Sequence, residues 1–204
     1  MMEIKKVAVI GAGVMGSGIA AQIANAGIPV LLLEMSQEAL DKGMDRIRGN
    51  YSVSVNRGST SQTKVDQALA LITPTTSYGD LDRVDIAIEA VFEDISVKHD
   101  VFRALDNVMK PGAILASNTS ALNIDQIAAA TRRPEDVIGT HFFSPANVMK
   151  LQENVRGAKS SPQTIVTVMN LAKRLGKVPV LAGNCEGFIG NRILAIYGRE
   201  CDFL

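Results

Sequence analysis

The fold is decided by the stretch Val7-Ala-Val-Ile10, followed directly by Gly11-Ala-Gly-Val-Met-Gly16. Four apolar residues predict a buried strand, and the three glycines predict a turn in which no side chain blocks the backbone. Residues 19–24 continue with helical spacing. A helix N-terminus offers unpaired N–H groups and the positive end of a dipole, so a pyrophosphate can approach closely over Gly13. The first hypothesis is therefore a dinucleotide site.

A second predicted strand gives the glycine spacing its context. Val30-Leu-Leu-Leu33 leads into Glu34, which lies about 20 residues beyond the glycines. A carboxylate there can accept both hydroxyls of an adenine ribose and repels a 2′-phosphate, and no arginine follows it within residues 35–37. The sequence therefore favours NAD over NADP, with a plain strand–helix–strand unit as the alternative. The residues predicted to bind the cofactor here are Gly11, Gly13, Val14, Met15, Gly16 and Glu34.

Composition limits the classes of function that fit. The chain has 204 residues, of which 47% are hydrophobic, enough for one good core. Lys plus Arg equals Asp plus Glu at 21 each, so no overall charge attracts nucleic acid or an anionic membrane surface. Cys185 and Cys201 lack metal-ligand spacing, no signal-like start precedes them, and no apolar run is long enough to cross a bilayer. We expect an intracellular protein without a metal site, without nucleic acid and without membrane insertion.

Between the second and third strands the sequence predicts a helical excursion. Residues 38–48 carry apolar side chains at helical spacing, residues 56–63 are polar, and residues 65–72 are helical again. The excursion includes the basic residues Lys42, Arg57 and Lys64. A solvated helix face explains these charges better than a phosphate site on sequence alone.

The remaining strands predict an α/β fold of the Rossmann type, with a doubly wound sheet. Extended patterns are centred on residues 72–76, 84–89, 113–116, 137–141, 148–155 and 178–182. The predicted NAD-binding domain covers residues 1–186. Residues 187–204 are expected to begin a helix that leads to an absent C-terminal helical domain, because its apolar side chains need a partner surface. A terminal helix packed on the same domain is the alternative.

His141 is the candidate base. It ends a buried strand at the edge where open parallel sheets bind ligands, and aromatic residues follow it. A lone histidine in such a place is more often structural, but Glu153 follows twelve residues later. If the extended segment pairs back on the preceding strand, this carboxylate can orient the imidazole and stabilise its protonated form.

This combination suits oxidation of a secondary alcohol. Such a reaction needs a hydride acceptor, which NAD supplies, and a group that takes the hydroxyl proton, for which His141 is the candidate. Ser120 follows another strand and Asn191 lies near the start of the last helix, so both offer neutral polar contacts to a substrate oxygen. Taken alone, each is more simply a turn or cap residue.

Several motifs, in order along nearly the whole chain, resemble the L-3-hydroxyacyl-CoA dehydrogenase family. The residues of these motifs are most similar to the dehydrogenase part of multifunctional β-oxidation enzymes, especially at positions 140–146 and 183–188. The motifs are Gly11-Ala-Gly-Val-Met-Gly16, Glu89-Ala-Val-Phe-Glu-Asp94, Ser117-Asn-Thr-Ser-Ala-Leu122, Gly139-Thr-His-Phe-Phe-Ser-Pro145 and Gly187-Phe-Ile-Gly-Asn-Arg192.

The resemblance implies specific roles for the candidate residues. His141 is expected to be the general base towards the 3-hydroxyl and Glu153 its partner, with Ser120 and Asn191 at substrate-contacting positions. Residues implied at the nicotinamide end of the cofactor are Glu93, Lys98 and Asn118. The basic excursion corresponds to the region that meets CoA, which implies a role in substrate binding for Lys42, Arg57 and Lys64.

The resemblance also implies features outside this chain. Asn154 departs from the β-branched or apolar residue expected after the glutamate. The family carries a further helical domain that completes the cleft and forms most of the dimer contact, so we expect a homodimer only with that domain, or a multifunctional chain. This chain on its own should bind NAD but catalyse the oxidation of the substrate poorly. The expected location is cytoplasmic in a bacterium, and peroxisomal or mitochondrial in a eukaryote.

Two other readings remain open at this stage. One is a related dehydrogenase that acts on a free hydroxy acid, which activity without CoA would distinguish. The other is a non-catalytic binding or structural protein, since the family resembles lens proteins that reuse the fold. A set of four polar residues argues against the second reading, because packing alone does not require it. The set is His141, Glu153, Ser120 and Asn191.

Overall fold

A computed structural model describes residues 2–203, in which eight strands form one sheet between two layers of helices. The strands are β1 (Val7–Ile10), β2 (Val30–Leu33), β3 (Ile72–Thr75), β4 (Ile86–Glu89), β5 (Ile114–Ser117), β6 (Val137–Phe142), β7 (Leu151–Arg156) and β8 (Val178–Gly183). The helices are α1 (Val14–Asn25), α2 (Gln37–Asn56), α3 (Gln62–Ala70), α4 (Ile95–Val108), α5 (Ile124–Ala128), α6 (Pro162–Arg174) and α7 (Gly190–Asp202).

The strand order confirms the predicted doubly wound sheet. It runs β3-β2-β1-β4-β5-β6-β7-β8, with parallel pairing from β3 through β6. Strand β7 pairs antiparallel with β6, and β8 is parallel to β7. The order reverses between β1 and β4, which is the switch point where such sheets open a crevice outside the carboxyl ends of the strands.

Both faces of the sheet are covered, which explains the uninterrupted apolar runs of the central strands. Val7 and Val9 of β1 contribute to the core beneath α1, α2 and α6, whereas Ala8 and Ile10 belong to the core beneath α4 and α5. All four residues of β1 are buried. A strand with two covered faces needs apolar side chains at every position rather than at alternate ones.

The helical excursion between β2 and β3 is confirmed, and its first helix is longer than predicted. Helix α2 continues eight residues beyond the predicted end at residue 48, because Tyr51 extends the buried stripe through an otherwise polar segment. The hydroxyls of Ser36 and Ser61 cap α2 and α3 by accepting backbone N–H groups. A Cβ added at Gly43 would lie 2.5 Å from the Cβ of Ala12, so α2 packs directly against the glycine turn.

Two elements in the second half of the chain, β7 and α7, begin later than the sequence pattern suggests. Strand β7 begins at Leu151 because residues 146–149 turn, and the Lys177 ammonium donates to the carbonyls of Ala146 and Met149 within that turn. Helix α7 begins at Gly190 and none of its residues is buried. Of the helices within residues 2–203, none combines the length and the apolar character needed to cross a bilayer.

Candidate cofactor and catalytic site

The glycine turn between β1 and α1 needs two of its glycines for packing. Gly11 has φ +100°, and a Cβ there would lie 2.8 Å from the carbonyl oxygen of Ala90. A Cβ at Gly16 would lie 1.8 Å from the carbonyl oxygen of Gly11. Larger residues at either position would force the turn away from β4 or away from its own helix.

Gly13 differs from these two because the space beside it is open. A Cβ added there would meet nothing within 4 Å. Gly13 is also the N-cap of α1, which has no side-chain cap, whereas helices α2, α3, α4, α5 and α6 each have one. An uncapped helix N-terminus with open space above its backbone fits the pyrophosphate of a dinucleotide.

A cavity of about 530 Å³ extends from this turn to the end of β2. Of the predicted cofactor residues, Gly11, Gly13, Val14, Met15 and Glu34 line it, while Gly16 lies behind the turn. The Glu34 carboxylate accepts the backbone N–H groups of Ala12 and Met35, both at 2.8 Å. Its remaining lone pairs leave it able to accept ribose hydroxyls.

Beyond β4, Glu93 and Lys98 lie in one charged cluster. Lys98 has 1% of its side chain exposed and contacts Glu89 at 2.6 Å and Glu93 at 3.2 Å. Burial tends to raise the pKa of Glu93, but hydrogen bonds from Thr119 and Ser120 together with the Lys98 charge outweigh it and lower the pKa. Glu93 is therefore ionised and joins α4 to the loop after β5.

That loop also carries Asn118 and Ser120. The Asn118 side-chain oxygen accepts the N–H of Phe142 at 2.9 Å, which ties the end of β5 to the end of β6. The Ser120 hydroxyl donates to Glu93 at 3.2 Å, and its backbone N–H donates to the same oxygen at 2.8 Å. Asn118 and Ser120 therefore lie at the ligand edge of the sheet, as predicted, with defined partners.

His141 and Glu153 meet as the sequence predicts. They are directly opposite in the antiparallel register of β6 and β7, and His141 Nδ1 lies 2.8 Å from a carboxylate oxygen of Glu153. Both side chains are buried, at 7% and 1% exposure. Because an ionised carboxylate only accepts, Nδ1 carries the proton, and Nε2 is left with a lone pair that can take a proton from a substrate.

The other carboxylate oxygen of Glu153 is held by the start of α7. It accepts the backbone N–H groups of Ile189 at 3.0 Å and Gly190 at 2.7 Å. The approach depends on a left-handed turn at Gly187 (φ +67°) and Phe188 (φ +48°), and the second of these is a strained conformation for a residue with a side chain. The N-terminus of α7 therefore fixes the carboxylate that orients His141.

Two aromatic rings shield the imidazole. The rings of Phe143 and Phe188 have centroids 4.3 Å and 5.8 Å from that of His141. Phe188 has only 1% of its surface exposed. These apolar rings exclude water from one side of the imidazole.

Ser120 and Asn191 come together in a separate cavity of about 780 Å³ between the loop after β5 and α7. His141 does not line this cavity, but Asn191 follows Gly190, whose N–H holds Glu153. The four residues expected at the catalytic end therefore form two pairs that α7 connects.

Of the three basic residues expected to contact CoA, one lines a cavity. Lys64 lines a space of about 700 Å³ between α1, α2 and α3 that reaches Asn147, in the turn after β6. Lys42 forms an exposed pair with Glu38 on its own helix, at 2.6 Å. Arg57 is the exposed C-cap of α2.

Comparison with known sequences identifies the family. A sequence model described as "3-hydroxyacyl-CoA dehydrogenase, NAD binding domain" matches residues 6–185. The chain belongs to this family. NAD is accordingly the cofactor of the domain, and the resemblance seen in the sequence motifs is confirmed.

Curated relatives of the dehydrogenase domain are multifunctional proteins of much greater length. The chain is 43% identical over 202 residues to the fatty acid oxidation complex subunit alpha of Psychrobacter sp. (strain PRwf-1), matching 99% of the chain and 28% of that protein. It is 46% identical over 203 residues to the peroxisomal bifunctional enzyme of Cavia porcellus, matching 98% of the chain and 28% of that enzyme. The chain thus spans under a third of the length of these relatives.

Solved structures of dehydrogenases share the fold closely. The 3-hydroxybutyryl-CoA dehydrogenase of Escherichia coli K12 superposes with a TM-score of 0.95 at 38% identity, covering 98% of this chain and 42% of that one. The likeness extends across the sheet and therefore includes the strands that carry the cofactor cavity and the His141–Glu153 pair.

Sequence reasoning missed two parts of the candidate site. It did not single out Glu89, although this residue opens one of the recognised motifs. It did not predict that backbone N–H groups of α7 would bind Glu153, because the Phe188 conformation that aims them leaves no clear sequence signal.

Proposed function

We propose that the intact protein containing this chain oxidises an L-3-hydroxyacyl-CoA to the 3-ketoacyl-CoA with NAD, as a step of fatty acid β-oxidation. The observation that carries the proposal is the buried contact of 2.8 Å between His141 and Glu153 at the ligand edge of an NAD-binding sheet. NAD, when bound, supplies the acceptor for the hydride that leaves the substrate carbon.

His141 is the general base of the proposed reaction. Its Nε2 takes the proton of the 3-hydroxyl, and the imidazole becomes positively charged. Glu153 stabilises that charge through Nδ1, and the two N–H groups of α7 hold the carboxylate in place. In the reverse direction, the same nitrogen returns the proton to the carbonyl oxygen.

Ser120 and Asn191 are proposed to orient the substrate oxygen. Both side chains are neutral and both line the cavity beside α7. Glu93 fixes the Ser120 backbone and hydroxyl, so the loop is positioned before a substrate arrives. Pre-organised polar groups of this kind reduce the entropy that binding must otherwise supply.

For the cofactor, the proposed contacts are the glycine turn with Val14, Met15 and Glu34 at the adenosine and pyrophosphate end. Glu93, Lys98 and Asn118 are assigned to the nicotinamide end. Lys98 acts there mainly by holding Glu93, because its own ammonium is buried between two carboxylates.

Lys64 is the best supported of the three CoA candidates. Its cavity extends from the excursion helices to Asn147, six residues after His141 along the chain, so a long substrate could reach both. An ammonium at its rim suits a phosphate of CoA. Lys42 and Arg57 have weaker support because neither lines this space.

We also propose that residues 187–204 begin a further helical domain, separate from the NAD-binding domain at residues 1–186. Helix α7 exposes an apolar face, with Ile193, Leu194 and Tyr197 each more than 60% exposed. The proposed assembly is a homodimer through that domain, or a multifunctional chain like the relatives. The proposed location is intracellular, cytoplasmic in a bacterium and peroxisomal or mitochondrial in a eukaryote; the name of the Cavia porcellus relative supports the peroxisomal case.

The test is an assay of the intact protein in the reverse direction, following the loss of NADH absorbance. We expect oxidation of NADH with acetoacetyl-CoA and little with free acetoacetate. Equal rates with free acetoacetate would indicate a hydroxy-acid dehydrogenase, and no rate with either would favour a non-catalytic relative. Replacing NADH with NADPH should reduce the rate strongly, and a clear preference for NADPH would contradict the role of Glu34.

A further inference from the structure

Glu89 is a fully buried carboxylate that the proposed proton transfer does not use. It ends β4 with 0% of its surface exposed. One oxygen accepts the Val91 N–H at 2.8 Å and the Lys98 ammonium at 2.6 Å, and the other accepts the Ser117 hydroxyl at 2.7 Å. Every partner is a donor, which is the arrangement of an ionised carboxylate.

The cluster that contains Glu89 carries an unbalanced charge. Two carboxylates, Glu89 and Glu93, share one ammonium, that of Lys98. The formal sum is therefore one negative charge. Tyr78 adds no charge to the cluster, because burial and the charges of Glu34 and Glu89 raise the pKa of its phenol and keep it neutral. Since Glu89 and Lys98 are shielded from water, solvent screens their charges poorly.

The position of the cluster relates it to one half of the cofactor. It lies at the carboxyl ends of β4 and β5, between the glycine turn after β1 and His141 on β6. A dinucleotide with its pyrophosphate over Gly13 and its adenosine towards Glu34 on β2 directs its other half across β4 and β5. The nicotinamide half therefore meets this negative cluster.

The two redox forms of the cofactor differ in charge at that half. The oxidised nicotinamide carries a positive charge and the reduced ring is neutral. We propose that Glu89 is a positioning residue whose charge makes the site favour NAD⁺ over NADH, acting through the Glu89–Lys98–Glu93 cluster. The inference rests on the proposed cofactor orientation. Without the Glu89 charge, the charges of Lys98 and Glu93 would cancel, and the preference for NAD⁺ over NADH would be lost.

The experiment compares Glu89→Gln with Ser117→Ala in the intact protein. The first change removes the charge and nearly preserves shape, whereas the second removes only the hydrogen bond that anchors the same carboxylate. The dissociation constant of NADH is measured by its fluorescence and that of NAD⁺ by displacement of NADH. For Glu89→Gln we expect the ratio of Kd for NAD⁺ to Kd for NADH to rise about 3- to 20-fold. For Ser117→Ala the ratio should stay at the wild-type value.

A purely structural role for Glu89 gives a different result. Both variants would then weaken both cofactors in parallel and leave the ratio unchanged, which would overturn the inference. If Glu89→Gln does not fold, Glu93→Gln makes the same change of charge at a residue with 40% of its side chain exposed, and an unchanged ratio there also overturns it. A wild-type protein that binds neither form contradicts the proposed cofactor site itself, not only the role of Glu89.

Discussion

The glycine turn and the His141–Glu153 pair lie at the two ends of the proposed cleft along the ligand edge of the sheet, and they are built in opposite ways. The turn is local: β1, its glycines and Glu34 lie within residues 7–34, and backbone groups form the binding surface. The pair is made of side chains from two strands, and its carboxylate is fixed by N–H groups that lie 36 and 37 residues further along the chain. Binding of the cofactor and the proton transfer should therefore fail independently.

The largest expected effect comes from His141→Gln, which damages only the side-chain end. A positioned general base contributes about 10²- to 10⁴-fold to the rate. The turnover number should fall by that factor, while the dissociation constant for NADH, measured by fluorescence, should stay near the wild-type value because the glycine turn is intact.

Glu153→Gln is the matched companion to this change. The amide keeps the shape but supplies no negative charge to stabilise the imidazolium, so turnover should also fall without loss of NADH binding. Parallel losses of turnover and NADH affinity in His141→Gln would instead mark the imidazole as a structural residue and connect the two ends of the cleft.

The second prediction damages the backbone end and uses two glycines that differ in their surroundings. Gly13→Ala adds a methyl group to open space at φ −67°, so the free protein should keep its stability, but the methyl should obstruct the pyrophosphate. We expect the dissociation constant for NADH to rise about 10- to 100-fold, corresponding to about 1.4 to 2.8 kcal/mol.

Gly16→Ala is the contrasting variant. Its Cβ would lie 1.8 Å from the Gly11 carbonyl oxygen, so we expect it to lower the free energy of unfolding by roughly 3 kcal/mol. Thermal unfolding followed by circular dichroism separates the two variants. Equal destabilisation by both would show that Gly13 is needed for packing and not for the cofactor.

The same difference decides what could be predicted from the sequence. A binding surface formed by backbone groups depends on the residue types of one short segment. The positions of the glycine turn and of Glu34 could therefore be predicted from the sequence. Glu153 was located because a polar residue opposite a histidine follows from antiparallel register once two strands are assumed. The binding of Glu153 by Ile189 and Gly190 depends on the left-handed conformation of Phe188, which tertiary packing imposes on a residue type that rarely adopts it.

Burial is the other property that the sequence did not reveal. Lys98 was expected near the nicotinamide end of the cofactor, but the sequence did not predict that its ammonium lies between Glu89 and Glu93 with almost no exposure. On an amphipathic helix a lysine usually marks the solvent side, so helical spacing alone predicts the wrong surroundings for it. The buried carboxylate that ends β4, together with Glu93, explains why a charge can be buried there.

The smallest expected effect concerns the excursion helices, which belong to neither end of the cleft. Lys64→Ala should raise the Michaelis constant for acetoacetyl-CoA about fivefold and leave turnover unchanged, because an exposed ammonium on a phosphate contributes little and contributes equally before and during the reaction. Lys42→Ala is the matched control, since this lysine already pairs with Glu38 on the same helix and does not line the cavity. Equal effects of the two variants would mean that the overall positive charge of the helices attracts CoA. An effect of Lys64→Ala alone would place the CoA part of the substrate in the cavity between α1, α2 and α3. It would also show that substrate binding, like the proton transfer, can be weakened without loss of NADH binding.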